Sequence, residues 1–182
     1  GVAKAAQGAG GMSVTALESA PPWGRMSGSG YARQDGVDTQ RLKLYSGHWL
    51  MMVRWWAETV LAWNRGSTLA PDRVMRAVMS LFGLDLDQDP GTLSPEMFVM
   101  PGPGERHNLT SESYTHRLET ARSLREGQAP ILPVVHAYRP PDELAGLLEA
   151  VRPFTEHGLW IRRYGYLGDE KLDILRQEWS HS

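Results

Sequence analysis

Short apolar runs alternating with amphipathic helical stretches constrain this chain more than any other feature, because parallel strands need helical crossovers to join them. Four such runs stand out. They are Met12–Glu18, reached through Gly8-Ala9-Gly10-Gly11; Met97–Met100, closed by Pro101-Gly102-Pro103-Gly104; Ile131–His136; and Leu159–Tyr164. Between them lie segments with the 3.6-residue period of a helical face. From His48 to Asn64, Trp49, Met52, Val53, Trp56, Val60 and Trp63 share one face, and Asn64-Arg65-Gly66 supplies the stop. The heptad-spaced stripe Trp49, Trp56 and Trp63 reads as core packing.

Four further helices follow the same logic. Pro71 suits a first helical turn, with Val74, Val78, Leu81 and Phe82 on the buried side and an end near Gly83. Thr110 reads as an N-cap and Glu112 offsets the dipole of a helix running to about Arg125. Pro140-Pro141-Asp142-Glu143 opens the next, with Leu144, Leu147, Leu148 and Val151 inward, and Asp169-Glu170 opens the last, with Leu172, Leu175 and Trp179 inward. A stretch rich in Gly, Ser and Pro, about 19–46, has no sustained periodicity and reads as a long functional loop.

Four strands each followed by helix leave two architectures, an open α/β sheet or part of a closed barrel. A complete eight-unit barrel typically takes about 250 residues. Four units in 182 residues therefore predict half of a (β/α)8 barrel, one partial domain over 1–182, with a complete four-stranded open domain as the alternative. Val2-Ala3-Lys4-Ala5-Ala6, behind Gly1, reads as the end of a helix already under way, and the expectation is a piece of something longer.

Composition narrows the function. With no cysteine there is no disulfide scaffold and no Cys-based metal or redox site. A net charge of -2 and a pI near 6.3 argue against nucleic-acid binding, which usually shows as a basic domain. No apolar run approaches the ~20 residues of a membrane span. Arginine is frequent while lysine occurs only at Lys4, Lys43 and Lys171, which reads as compositional bias rather than recognition. The glycine motifs are weak. Gly8–Gly11 precedes its strand, whereas a dinucleotide loop follows one, and Pro101–Gly104 lacks the Lys and Ser/Thr of a phosphate cradle.

Gly158-Leu159-Trp160-Ile161-Arg162-Arg163-Tyr164-Gly165-Tyr166-Leu167, followed by Asp169-Glu170-Lys171-Leu172, resembles the eighth strand and closing helix of bacterial (β/α)8 proteins described as glycoside-hydrolase-like. Ile131 to Tyr138 is similar to their seventh strand, and Met51 to Thr59 resembles the helix after their long loop. The resemblance runs from about Arg41 onward as scattered phrases. It implies barrel units five to eight, a carbohydrate-active protein, and units one to four supplied from upstream. One departure matters: the large retaining clan of this fold carries its nucleophile carboxylate at the end of the seventh strand, where this chain has His136.

In such barrels reactive residues sit at the C-terminal ends of strands and in the loops after them. Glu18, ending the first run, is the acid/base candidate: a strand-end carboxyl walled by Trp23 could be held protonated and donate to a glycosidic oxygen. A second carboxylate, ~5–5.5 Å away for retention or ~6.5–9.5 Å for inversion, would come from Asp35, Asp38 or the absent half. His136 is the third catalytic candidate. Trp23, Tyr31, Arg33, His107, Tyr138, Arg163, Tyr164 and Tyr166 are the substrate-binding candidates, since sugar C–H faces pack on aromatic planes, with Arg25, Glu105, Arg106 and Arg139 on the same rim. No cofactor is implied, and without an HxH or HExxH spacing no metal site is either. The expected function is acid/base hydrolysis of a glycosidic bond; the alternative is a non-catalytic glycan-binding barrel acting with a polysaccharide-processing partner.

Overall fold

The structure, a computed structural model, describes residues 15–18, 38–66, 68–123 and 130–179. They form a mixed α/β fold on one parallel sheet. Its strands are β1 (Thr15–Glu18), β2 (Thr39–Lys43), β3 (Ile131–His136) and β4 (Trp160–Arg162), lying side by side in chain order. The helices are α1 (Ser46–Trp63), α2 (Pro71–Phe82), α3 (Ser111–Ser123), α4 (Pro141–Val151) and α5 (Asp169–Trp179). Three of them, α1 to α3, lie between β2 and β3, so the connection is longer than one βα crossover.

The second expected strand is not one. Pro95–Met97 form a 3-10 turn, after which Phe98 is buried while Met97, Val99 and Met100 stand exposed. Pro95 and Pro101 bracket the run and lack backbone donors, which denies it ladder hydrogen bonds at both ends. The second strand is instead Thr39–Lys43, inside the segment expected to be loop. Its signal is period two: Leu42 and Leu44 enter the core while Arg41, Lys43 and Tyr45 take the opposite face. With one apolar residue in five, it escapes a search for apolar runs.

Register fixes the two faces of the sheet. Leu42 pairs with Pro133, Lys43 with Val134, Val134 with Trp160, and His136 with Arg162. Leu42, Leu44 and Val135 therefore face the helices and join the core with Trp49 and Val53 of α1, Leu118 of α3, and Leu144 and Leu148 of α4. The other face carries Arg41, Lys43, Tyr45, His136, Trp160 and Arg162. Its aromatic and cationic residues gather toward the C-terminal ends of β2, β3 and β4.

Helix ends follow their local chemistry. In α2, Pro71 takes the first turn, and Asp72 accepts the backbone N–H of Leu93 at 2.8 Å. Gly83 ends it at φ 61, where an added Cβ would lie 2.6 Å from the His116 ring. The tryptophan stripe of α1 divides along its length. Trp49 is buried against Tyr114 and the Arg117 guanidinium, Trp56 is half-buried, and Trp63 is 77% exposed. A straight helix drifts about 20° per heptad, so two heptads carry Trp63 away from the seam that holds Trp49. In α5, Ile174 and Leu175 pack against the core while Leu172 is half-buried.

Candidate ligand-binding cleft

At the C-terminal ends of β2, β3 and β4 a cleft of about 690 Å³ opens, a size typical of small-ligand sites. Tyr45 and His48 border it from the β2–α1 junction, His136 from the end of β3, and Trp160, Arg162 and Tyr164 from β4 and the turn after it. Each element contributes by position: His136 is the last residue of β3, and Arg162 the last of β4, abreast of it in register.

The cleft is built around stacked rings. Tyr45 lies over His136 with centroids 3.8 Å apart, and His48 stands 5.5 Å from Tyr45 and edge-on to His136 at 6.2 Å. Arg162 Nη1 donates to the Tyr45 hydroxyl at 3.4 Å. Arg41 stacks its guanidinium 3.2 Å from the Trp160 ring centroid, and the Lys43 ammonium lies 5.7 Å from that of Tyr45. Burial, followed by repulsion from His48, Arg163, Arg139 and Arg162, pulls the His136 imidazole down to about 4. It is neutral at pH 7, with one donor and one acceptor to offer.

The turn that closes the cleft is held from below. Arg163 adopts φ 64, a left-handed conformation uncommon outside glycine, and leads into the 3-10 turn Tyr164–Tyr166. Lys171, third residue of α5, donates to the carbonyls of Ala137 at 2.8 Å and Tyr166 at 3.0 Å. Its amine is pulled below the usual lysine range chiefly by burial. Tyr166 also meets Tyr138 edge-on, with centroids 4.9 Å apart. The Asp-Glu-Lys-Leu phrase thus has a mechanical role: its lysine pins the cleft turn to the end of β3.

Beside the cleft lies a buried polar cluster. Arg139, wholly buried, donates to Ser46 Oγ at 2.8 Å and Tyr114 OH at 2.9 Å and pairs with Glu143 at 3.3 Å. Ser46 Oγ in turn bonds His107 Nδ1, and the His107 backbone N–H donates to Glu143 Oε2 at 2.9 Å. Burial and the charge of Arg139 take His107 down to about 3. Burial raises the Glu143 carboxyl against the opposing effect of its bond to His107.

Of the candidates from sequence, His136, Arg163, Tyr164 and Tyr166 meet in the cleft, and Tyr138 joins through Tyr166. His107 does not; it is 2% exposed and engaged with Ser46. Glu105 and Arg106 border a separate depression, where Glu105 accepts the Gly102 N–H and Arg106 pairs with Asp142. Asp38 precedes β2, at the opposite end of the sheet from the cleft, and cannot be the second carboxylate there. Arg139 lies in the core rather than on the rim. Glu18 ends β1, in register with Leu42, and its side chain lies outside the described part. Trp23, Arg25, Tyr31, Arg33 and Asp35 lie outside the described residues.

Tyr45, His48, Trp160 and Arg162 belong to the cleft and were not singled out from sequence. Missing β2 hid Tyr45 and His48, whereas Trp160 and Arg162 carry the alternation of β4 in plain view. Among the described residues no three His, Asp or Glu side chains gather to hold a metal ion, and no helix is long and apolar enough to cross a membrane. No protein family, curated protein or solved structure matches the chain.

Proposed function

We propose that this chain is the C-terminal half of a (β/α)8 barrel in a glycoside-hydrolase-like, carbohydrate-active protein, and that the cleft at the strand ends holds the glycan. The barrel reading is supported by four parallel strands in strict chain order. A doubly wound sheet reverses its order at a switch point, whereas a barrel never does.

One observation carries the glycan reading: the cleft stands at the C-terminal end of the sheet with Trp160 and Tyr164, both exposed, on its walls and hydrogen-bonding His136, His48 and Arg162 between them. Aromatic planes take the apolar faces of sugar rings and the polar groups take hydroxyls. The described residues that line it include no carboxylate, and the role these side chains support is binding.

Hydrolysis is the second reading, favoured by the position of Glu18 as the last residue of β1, at the end of the sheet where the cleft opens. A panel of oligosaccharides assayed for binding and for reducing-end release separates the two. Saturable binding weakened by Tyr164→Ala is the expected result, and turnover abolished in Glu18→Gln would make Glu18 the acid. Wild-type turnover by Glu18→Gln removes Glu18 from the mechanism, and a panel without any ligand sinks the glycan reading.

A further inference from the structure

The cleft is one-sided in charge although the chain is not. The whole sequence carries a net charge of -2. Yet Arg162 and Arg163 line the cleft, Arg41 is stacked on its Trp160 wall, and Lys43 sits over its Tyr45 wall. None of the ion pairs among the described residues involves these four; the arginines that do pair are Arg54, Arg76, Arg106, Arg139, Arg152 and Arg176, elsewhere in the fold. The Nε of Arg41 is buried without a hydrogen-bond partner.

From this concentration of cations outside any ion pair, in an aromatic cleft whose described lining residues include no carboxylate, we infer that the ligand is an acidic glycan, a sugar bearing carboxylate or sulfate groups. The inference rests on the glycan reading above and sharpens it. Guanidinium forks match carboxylate and sulfate oxygens in geometry and charge. A neutral sugar would leave Arg162 and Arg163 with hydroxyls alone, and would not draw on the field that a one-signed cleft focuses. Arg41 and Trp160 together form a platform in which the cation lies against one wall of the sugar site. The separation of roles is spatial: rings for the sugar faces, guanidinium groups for the acid.

The test titrates the full-length protein with hexagalacturonate, a sulfated carrageenan hexasaccharide, cellohexaose, xylohexaose and polyuridylate RNA, using calorimetry at 50 and 200 mM salt. Preference for the carboxylated or the sulfated sugar, at least 10-fold over the neutral ones and weakened by salt, is the expected result, and the two acidic arms tell which group is read. In Arg162→Gln/Arg163→Asn the preference for the acidic over the neutral hexasaccharides collapses about 10-fold; asparagine tolerates the left-handed backbone at 163, and an unchanged far-ultraviolet spectrum shows that the fold is kept. Tighter binding of cellohexaose or xylohexaose overturns the acidic class and leaves the glycan reading standing. Binding of no hexasaccharide overturns both. Tighter binding of polyuridylate RNA than of any sugar overturns both as well, in favour of a phosphate-backbone ligand.

Discussion

The cleft and the buried cluster beside it use the same residue types, arginine, histidine and tyrosine, to opposite ends. In the cluster Arg139 is wholly buried and its two terminal nitrogens are engaged by Ser46, Tyr114 and Glu143, tying the β2–α1 junction to α3 and α4. In the cleft Arg162 has one long bond to Tyr45, and Arg163 faces solvent. A buried charge must be paired or the fold loses several kcal/mol; an exposed one is free to be paired by something else. The difference teaches that environment, rather than residue identity, divides arginines committed to the fold from arginines left open to solvent here.

The largest expected effect breaks the cluster. Arg139→Met leaves the mostly buried Glu143 without its guanidinium partner and should lower unfolding free energy by roughly 3 kcal/mol in urea titration. Adding Glu143→Leu should return a large part of the loss, because the orphaned charge goes with it. A single variant unfolding at the wild-type midpoint would show that the cluster is not holding the fold.

Acid probes both regions at once. His136 and His107, held down to about 4 and about 3, stay neutral in the folded chain while their unfolded counterparts protonate below about 6.5. The unfolded state then binds more protons, so stability falls as pH drops from about 6.5 toward 4. At pH 5 each histidine should have removed on the order of 2 kcal/mol relative to pH 7. Glu143, whose carboxyl burial pushes up, works in the opposite direction, so the comparison of wild type with His136→Gln is the measure. A variant with the same pH slope as wild type would remove His136 from the effect.

Two smaller effects isolate the cleft. Tyr164, 84% exposed, should be replaceable by alanine within about 0.5 kcal/mol of stability, yet cost glycan affinity about tenfold, near 1.4 kcal/mol. Arg163→Gly should raise stability by about 1 kcal/mol, since glycine adopts the left-handed backbone without its steric cost, while weakening binding of an acidic sugar. Matching signs in both measurements would mean that Arg163 is a structural residue like Arg139.

Much of the helical framework is legible in the sequence. Pro71 and Gly83 bracket α2, Asp169 opens α5, and the leucines of α4 lie on one face, because helix ends and faces depend on residues a few positions apart. β3 is legible as a short apolar run buried on both faces. β2 is not, because its pairing with β1 and β3, rather than its own apolarity, makes it a strand. The run at 97–100 shows the reverse, apolar yet unpaired.

The site divides the same way. His136, Tyr164 and Tyr166 follow from the rule that strand ends carry function, and the structure brings them into one cleft. His107 satisfies the same rule by position and yet is sealed against Ser46, a residue 61 positions earlier. Asp38 shares the long segment with Glu18 but enters β2 at the far end of the sheet. By itself the sequence determined the helices, their ends and three of the four strands, since short-range sterics and periodicity suffice for these. Only tertiary structure decided which second strand exists, which arginine is buried and which is free, and which histidine meets the cleft. Those outcomes depend on which distant segments desolvate each other, and neither residue type nor spacing records that.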